Sequence, residues 1–559
     1  MRARLSVSSA VSFLVVGGIG SFAYVGAAVA DDAFLRPGTL VISSSVYENW
    51  KGAVARLNST GPNPTQLAST DTSTIAAVSD GNYVTVWSNE VPDASFGVTS
   101  PIFLADVDVR TGRTLRTLRV PEDQVVTSFS SKSELAVHYG RVHNHQALIF
   151  TAYAGAGVGA LDVSNSDAAV GQDPTNPVSF AFGSKYAFPR TVVAVDEDGR
   201  LSYTPTENYG GNNSRSALLG SNGLYYTVGN ANNGNAATFG SDTNGTTPDV
   251  TQTTGLEVVR PINAWSWHVP IPVGDSAEVN PLLQYGLGKK GADDKPGKDN
   301  NFRGLTEFNG ALYFTKGSGS NGVQTVYTVV SGTQSLAGFI PTPDSGATAG
   351  NVLPTLANAA AQSIQILKGF PTDSARATGG DYTPFGLFFA DDHTLYVADE
   401  GSGDTADFDP LHPGAGHAGL EKWVLGANGT WVLQYTLTAG LIGTVDTNLV
   451  GRDGPYPDVT TVGLRNVSGR LNRDGTVTLW AATATSSAAT DVGADPNKVV
   501  TITDVLAATA PVTGKPSLDT FQTVAGPTYG TVYRGVAYIP GDDDRDFDKD
   551  RDGGHHFER

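Results

Sequence analysis

The sequence predicts an all-β protein, a seven-bladed β-propeller with long inserted loops, and three observations lead to this class. A strand motif built on Leu-Tyr or Leu-Trp recurs about 85 residues apart. Each copy alternates apolar and polar residues and lies between glycine- or serine-rich turns. The segment "TVYRGVAYIP" near the C-terminus reads as a first strand without a continuation, whereas the first strand segment of the chain lacks a predecessor.

Each repeat reads as an antiparallel meander of three strands. In residues 302–330, "FRGLTEFNG" predicts the leading strand, "LYFTKG" the second and "VQTVYTVV" the third. Counting such units gives seven blades, and pairing of the C-terminal strand with the N-terminal blade would close the ring. The seven units contain Leu40, Tyr83, Leu148, Leu224, Leu312, Leu395 and Leu479.

The repeated meander resembles the seven-bladed propellers of the NHL, YVTN and gluconolactonase type. No unit carries the Gly-His and Trp-Asp marks of a WD repeat, and the units exceed the length of compact repeats. The surplus is expected in loops, where function concentrates. One of them contains "LPTLANAAAQSIQILKGF", whose apolar spacing predicts a short helix. The largest predicted loops span residues 230–255, 273–301, 341–383 and 403–419.

The 559-residue chain is expected to hold one domain between two tails. Residues 1–30 combine basic residues, an apolar stretch and Ala-Val-Ala, which predicts a signal peptide cleaved near Ala30-Asp31. A membrane anchor is the alternative for this stretch. Residues 31–540 would form the propeller, and residues 541–559 an acidic disordered tail. We therefore expect a secreted protein, extracellular or periplasmic, without stable membrane insertion.

Composition narrows the function classes. The chain has no cysteine, which excludes disulfides and thiolate chemistry, and its net charge of −19 argues against nucleic-acid binding. Motifs of serine hydrolases, P-loop proteins, dinucleotide-binding proteins and zincins are absent from the sequence. We expect a monomer.

Arginine recurs at one place in the leading strands. Because leading strands line the channel of a propeller, these side chains could converge on an anion site for carboxylate or phosphate. The alternative is that each arginine braces the neighbouring blade. The arginines are Arg215, Arg303, Arg465 and Arg534.

Two further groups are candidate metal ligands. The segment "VADEGSGDTADFDP" concentrates carboxylates in a glycine-containing loop, which suits Ca²⁺, although such loops are also often merely solvated. The resemblance to gluconolactonase-like propellers implies that its first two acids face a channel metal. His143 and His145 could hold zinc or copper, or lie in a polar turn with His138 nearby. The acids are Asp399, Glu400, Asp404, Asp407 and Asp409.

Two functions follow from these patterns. The first is a secreted scaffold that binds a glycan, a small anion or an envelope protein through its loop face or central channel. The second is an enzyme, either a metal-dependent hydrolase or lactonase, or a lyase that acts on acidic polysaccharide in the channel. The sequence leaves open whether the protein is an enzyme.

Overall fold

The computed structural model describes residues 33–541 with gaps. The predicted signal peptide and nearly all of the predicted acidic tail lie outside the described residues. Within the described part, no helix is long and apolar enough to cross a membrane. The larger gaps are residues 56–74, 77–98, 159–189, 231–254, 263–278, 284–300, 333–345, 373–381, 402–417 and 487–495.

The strands, numbered along the chain, form six sheets and two small strand pairs. Sheet one contains β1 (Thr39–Val46), β4 (Ile102–Asp108), β5 (Thr114–Arg119) and β30 (Thr531–Ile539). Sheet two contains β6 (Val125–Val126), β7 (His138–Val142), β8 (His145–Ala154), β9 (Arg190–Asp196) and β10 (Leu201–Thr206). Sheet three contains β11 (Ser214–Leu219), β12 (Tyr225–Gly229), β13 (Gly255–Val259) and β14 (Val279–Leu283).

The second half of the chain forms the other three sheets. Sheet four contains β15 (Leu305–Phe308), β16 (Ala311–Lys316), β17 (Thr325–Ser331) and β18 (Gln362–Ile366). Sheet five contains β19 (Pro384–Phe389), β20 (Thr394–Asp399), β21 (Gly419–Leu425) and β22 (Trp431–Leu437). Sheet six contains β23 (Gly443–Val445), β26 (Val459–Leu471), β27 (Thr476–Ser486), β28 (Val499–Val505) and β29 (Gln522–Ala525). The small pairs are β2 (Val54–Ala55) with β3 (Ile75–Ala76), and β24 (Val450–Gly451) with β25 (Gly454–Pro455).

The all-β propeller prediction is confirmed, but the prediction of seven blades is wrong, because the described strands form six. The unit of Leu40 and the strands assigned to the unit of Tyr83 belong to one sheet. Strand β1 is hydrogen-bonded to β4, the strand that follows Tyr83 in the sequence and was counted with its unit. Tyr83 itself lies outside the described residues.

The predicted pairing between the two ends of the chain is present. Strand β30 lies antiparallel to β1, with Leu40 opposite Tyr538 and Ser43 opposite Gly535. Sheet one therefore runs in the order β30-β1-β4-β5. One strand of each sheet contacts the corresponding strand of both neighbouring sheets, and we call it the inner strand. The inner strands contact one another in the order β30, β7, β11, β15, β19 and β26, and β26 contacts β30.

Two of the predicted loops contain outer strands. Strands β14 and β18 are the fourth strands of sheets three and four, so part of the surplus length of the units completes the sheets. The predicted helix is wrong for the same reason, because residues 362–366 of that segment form β18. Ile364 and Ile366 alternate with Gln365 and are buried against the core, which is the pattern of an edge strand.

The hydrophobic core is divided among the interfaces between sheets. Separate apolar clusters join sheets one and two, two and three, three to five, five and six, and six and one. Phe308 stacks on Phe389 across sheets four and five, and Trp480 stacks on Tyr538 across sheets six and one, at ring-centroid distances of 4.5 and 5.0 Å. Burial of apolar surface between sheets thus fixes their order.

Asn497 fastens the C-terminal strand to sheet six. Its side-chain amide nitrogen donates to the carbonyls of Thr483 and Tyr533, at 2.9 and 2.8 Å. Its carbonyl oxygen accepts from the amide nitrogen of Tyr533 at 2.8 Å. The side chain is buried, so these three hydrogen bonds are shielded from water.

We predict that Asn497→Ala lowers the free energy of unfolding by about 3 kcal/mol, because it removes these hydrogen bonds. The measurement is urea unfolding, with Asn428→Ala as the matched control, since Asn428 is exposed and accepts one hydrogen bond from Thr430. Equal losses in the two variants would contradict the assigned role of Asn497.

Candidate functional site

A β-bulge recurs in the inner strands at the place of the repeated arginine. In β30 the pairing with β1 skips Arg534, and in β11 the pairing with β12 skips Arg215. Strands β19 and β26 show the same irregularity between Pro384 and Leu387 and between Leu464 and Val467. Bulges redirect side chains and are frequent beside functional sites.

In sheet four the same place is occupied by Arg303, just ahead of β15. Its amide nitrogen donates to the carbonyl of Thr315 at 2.8 Å, and the amide nitrogen of Thr315 donates to the carbonyl of Gly304 at 3.1 Å. Two consecutive residues therefore face one residue of β16. All four predicted arginines are buried and hold equivalent positions in sheets one, three, four and six.

Neighbouring inner strands touch through their backbones at this place. A Cβ atom on Gly304 would lie 1.8 Å from the carbonyl oxygen of Phe385, and one on Gly535 would lie 2.4 Å from that of Leu135. Glycine is required at both positions because the backbone of the next sheet fills the space. These contacts identify Phe385 and Leu135 as the residues that replace arginine in sheets five and two.

The arginines of sheets three and six lie within electrostatic range of the arginine of sheet four. Burial, with the neighbouring guanidinium groups of Arg215 and Arg465, lowers the pKa of Arg303 well below its usual value. Glu400 acts in the opposite direction. The guanidinium of Arg303 also lies over the ring of Phe385, 5.6 Å from its centroid.

Glu400 links sheet five to this cluster. It follows β20, and its Oε1 accepts hydrogen bonds from Nη2 and Nε of Arg465 at 3.0 and 3.2 Å. Both side chains are buried, so the ion pair is shielded from solvent. Glu400 thus places one negative charge among the positive charges of the arginines.

The other two arginines also contact nearby side chains. Nε of Arg215 donates to Oδ1 of Asn301 at 2.9 Å, and Nε of Arg534 donates to Oγ of Ser45 at 3.1 Å. These contacts agree with the bracing role that the sequence left open. Bracing and anion binding are compatible, because a guanidinium has five N–H groups on one planar fork.

The carboxylate of Asp399 accepts hydrogen bonds from neighbouring residues of sheet five. Oδ1 accepts from the amide nitrogen of Gly401 at 2.8 Å and from the hydroxyl of Thr383, and Oδ2 accepts from the amide nitrogen of Thr383 at 3.3 Å. Its carboxylate thus joins the start of β19 to the end of β20. Both oxygens of Asp399 and Oε1 of Glu400 accept hydrogen bonds in this arrangement, and the prediction that these two acids bind Ca²⁺ stays a prediction.

Most of the other residues that were predicted to bind a metal lie outside the described part of the chain. Asp404, Asp407, Asp409 and His143 lie outside the described residues, and His145 is exposed. In the described part of the chain, no three His, Asp or Glu side chains are grouped as a metal ion requires. The calcium and zinc or copper predictions therefore stay predictions.

His138 lies on the inner strand of sheet two. Its Nε2 is 2.7 Å from Oγ of Ser216 on the inner strand of sheet three. Burial lowers the pKa of His138 from 6.5 to about 4. The neutral imidazole therefore serves as a contact between two sheets.

Sequence reasoning missed two residues near the cluster. Phe385 occupies the arginine position of sheet five, and the pairing of "FGL" with "FRGL" was a signal that could have found it. Arg190 is buried on β9 with its guanidinium over the ring of Tyr153, whose hydroxyl donates to Asn213 beside Arg215. No repeated motif marks Arg190.

Comparison with known proteins gives no family. No protein-family model matches the chain, and no curated protein matches its sequence. The resemblance to NHL, YVTN and gluconolactonase-type propellers therefore stays a prediction from strand patterning.

We predict that the free energy of unfolding falls as the pH decreases from about 6.5 toward about 4, by at most about 3 kcal/mol from His138 alone. The unfolded chain binds a proton at this histidine in that interval, whereas the native state does not. Urea unfolding at a series of pH values measures the effect. His138→Gln, which keeps a hydrogen-bonding nitrogen for Ser216, should remove this part of the slope, and an unchanged slope would contradict the assignment.

Proposed function

We propose that this chain is a β-propeller scaffold that binds a small anionic ligand, bearing carboxylate or phosphate groups, at the arginines of its inner strands. The observation that carries the proposal is the presence of Arg215, Arg303, Arg465 and Arg534 at one equivalent bulged position. Guanidinium groups bind carboxylate and phosphate through paired hydrogen bonds.

The proposal requires the six sheets to surround a common axis. The pairing of β30 with β1 and the contacts from each inner strand to the next support a closed ring with an axial channel. In such a ring the inner strands line the channel, and one equivalent position in each of them marks one depth along the axis.

The fold alone does not demand arginine at this position. Sheets two and five place Leu135 and Phe385 there and make the same close contact between backbones. A buried guanidinium costs several kcal/mol in lost hydration, and proximity of like charges adds to that cost. An anionic ligand would offset both the lost hydration and the repulsion between like charges. Anion binding therefore explains the presence of the four arginines, which bracing of the neighbouring sheet does not explain.

The charge of the whole chain fits a local site. The net charge of −19 repels anions from the surface in general. A ligand would therefore be captured only where several arginines act together. The described residues favour a small anion or the acidic group of a glycan, whereas a protein ligand at the loop face would involve segments outside them.

The enzyme alternative has no support from the described carboxylates. A metal-dependent hydrolase or lactonase would need a group of oxygen ligands, and in the described part of the chain no three His, Asp or Glu side chains are grouped as a metal ion requires. We propose that the scaffold acts outside the cytoplasm, on the basis of the signal-peptide pattern in residues 1–30.

We predict that Arg303→Gln raises the dissociation constant for the anion by about ten- to a hundredfold, because a charge-assisted hydrogen bond is lost. Isothermal titration with galacturonate and with inorganic phosphate, against neutral galactose, measures the effect and separates carboxylate from phosphate recognition. Arg113→Gln is the matched control, since it removes the same charge from an exposed position. Absence of binding by the wild-type chain, or equal binding by both variants, would contradict the proposal.

We predict the opposite effect on affinity for Glu400→Gln. This carboxylate competes with an incoming anion for Arg465, so its neutralisation should tighten anion binding several-fold. The same change leaves a buried guanidinium without its ion pair and should lower the free energy of unfolding by about 3 kcal/mol. Titration and urea unfolding of one preparation test both effects. Weaker binding in a folded Glu400→Gln protein would show that Glu400 supports the site rather than competes for it.

A further inference from the structure

A buried lysine and a buried aspartate meet between sheets five and six. Nζ of Lys422, on β21, lies 2.9 Å from Oδ2 of Asp504, on β28, and both side chains are fully buried. Nζ also donates to the carbonyls of Val505 and Ala508 at 2.8 and 3.1 Å. The amine of Lys422 and the carboxyl carbon of Asp504, which belong to different sheets, are thus held close to one another.

Two tyrosines hold the carboxylate in place. The hydroxyl of Tyr435 donates to Oδ1 of Asp504 at 2.7 Å, and that of Tyr396 donates to Oδ2. The ring of Tyr435 also lies 5.1 Å from Nζ of Lys422. The surrounding cluster includes Leu437 and Ile502, so water is excluded from the pair.

A second carboxyl group lies beside the first. Asp519 is buried, and burial, together with the hydrogen bond and the charge of Asp504, raises the pKa of Asp519 to about 6. Its amide nitrogen donates to the carbonyl of Thr503, and its φ angle of +51° is unusual for a residue other than glycine. Oδ2 accepts from the amide nitrogen of Val512, and among the described residues no donor reaches Oδ1, so Oδ1 is the oxygen able to carry a proton toward Asp504.

We propose that Lys422 and Asp504 condense to an amide bond that links sheets five and six covalently, with Asp519 as the acid and base of the reaction. Lys422 first passes one ammonium proton to the carboxylate of Asp504, which leaves a neutral amine beside a carboxylic acid. The neutral Nζ attacks Cγ of Asp504 and a C–N bond forms; protonated Asp519 gives its proton to the hydroxyl group, the C–O bond breaks and water leaves, and Asp519 takes back one proton from Nζ. The ammonium, the carboxylate and protonated Asp519 thus become an amide, one water molecule and protonated Asp519, so no oxidant or co-reactant is needed.

The geometry favours this step in three ways. Reactants fixed in contact react as if at very high concentration. Condensation replaces two buried charges, which are costly to keep from water, with a neutral amide. The tyrosine hydroxyls that now donate to the carboxylate would stabilise the negative oxygen that develops during attack. A chain without cysteine has no disulfide to join its sheets, and this bond would take that role.

Mass spectrometry of the full-length chain, purified after folding and then denatured, tests the proposal. We expect a mass lower than that of the unlinked chain by one water molecule. After trypsin digestion, we expect a branched peptide that joins the segment of Lys422 to that of Asp504, without cleavage after Lys422. Recovery of the two segments as separate peptides from folded protein would show a plain ion pair and overturn the proposal.

Variants test the role of Asp519. Asp519→Asn keeps the shape and leaves the contact between Lys422 and Asp504, so it should fold and yield little or no branched peptide. If the Asp519→Asn protein is fully linked, the assignment of Asp519 as acid and base is wrong, whereas the bond between Lys422 and Asp504 is still demonstrated. Lys422→Met should abolish the branched peptide, but its unpaired Asp504 could prevent folding, so the Asp519 variant decides. Lys498 is half-buried and immediately precedes β28, the strand that carries Asp504. Lys498→Gln is therefore the matched control, and this variant should still contain the bond.

Discussion

The close backbone contact between neighbouring inner strands is the constraint on which the rest of the structure depends. At the bulge, Gly304, Gly386 and Gly535 leave no space for a side chain, because the backbone of the next sheet lies against them. In sheet six the corresponding residue is Asn466, whose side chain donates to the carbonyl of Arg534 instead. Every such contact sets the spacing of two sheets, and it also fixes where the preceding residue lies.

This constraint explains why the arginines are buried together rather than scattered over the surface. The residue before each tight contact belongs to a bulge, so its position is determined by the backbone and hardly by its own chemistry. The sequence can therefore change that residue without changing the fold, as Phe385 and Leu135 show. Placing arginine there is costly, since Arg303 loses hydration and lies near two other guanidinium groups. The fold provides a rigid frame in which such a cost can be sustained.

Much of the fold could be predicted from the sequence, because strand alternation and turn residues are local signals. The Leu-Tyr strands, the leading strands and the exchange of β30 into sheet one were all predicted from such signals. The number of blades was not, because Leu40 and the strand at Ile102 belong to one sheet across a long insertion, and no local pattern reports that pairing. The helix predicted near Ile364 failed for a related reason, since β18 is stabilised by its pairing with β17. Recurrence identified the four arginines, whereas the partnership of Glu400 with Arg465 joins two sheets and left no mark in the sequence.

The order of residues around the inner strands places a further demand on the proposed ligand. From sheet one to sheet six the equivalent position holds Arg534, Leu135, Arg215, Arg303, Phe385 and Arg465. If the ring is closed, two pairs of adjacent arginines alternate with single apolar residues. Glu400 forms an ion pair with Arg465 and also lies within electrostatic range of Arg303, so it offsets part of the positive charge of both pairs. A ligand with two acidic groups and an apolar body between them would match the whole arrangement. A small acidic molecule with an apolar body would thus contact both the charged and the apolar positions, whereas an inorganic ion would contact only the charged ones.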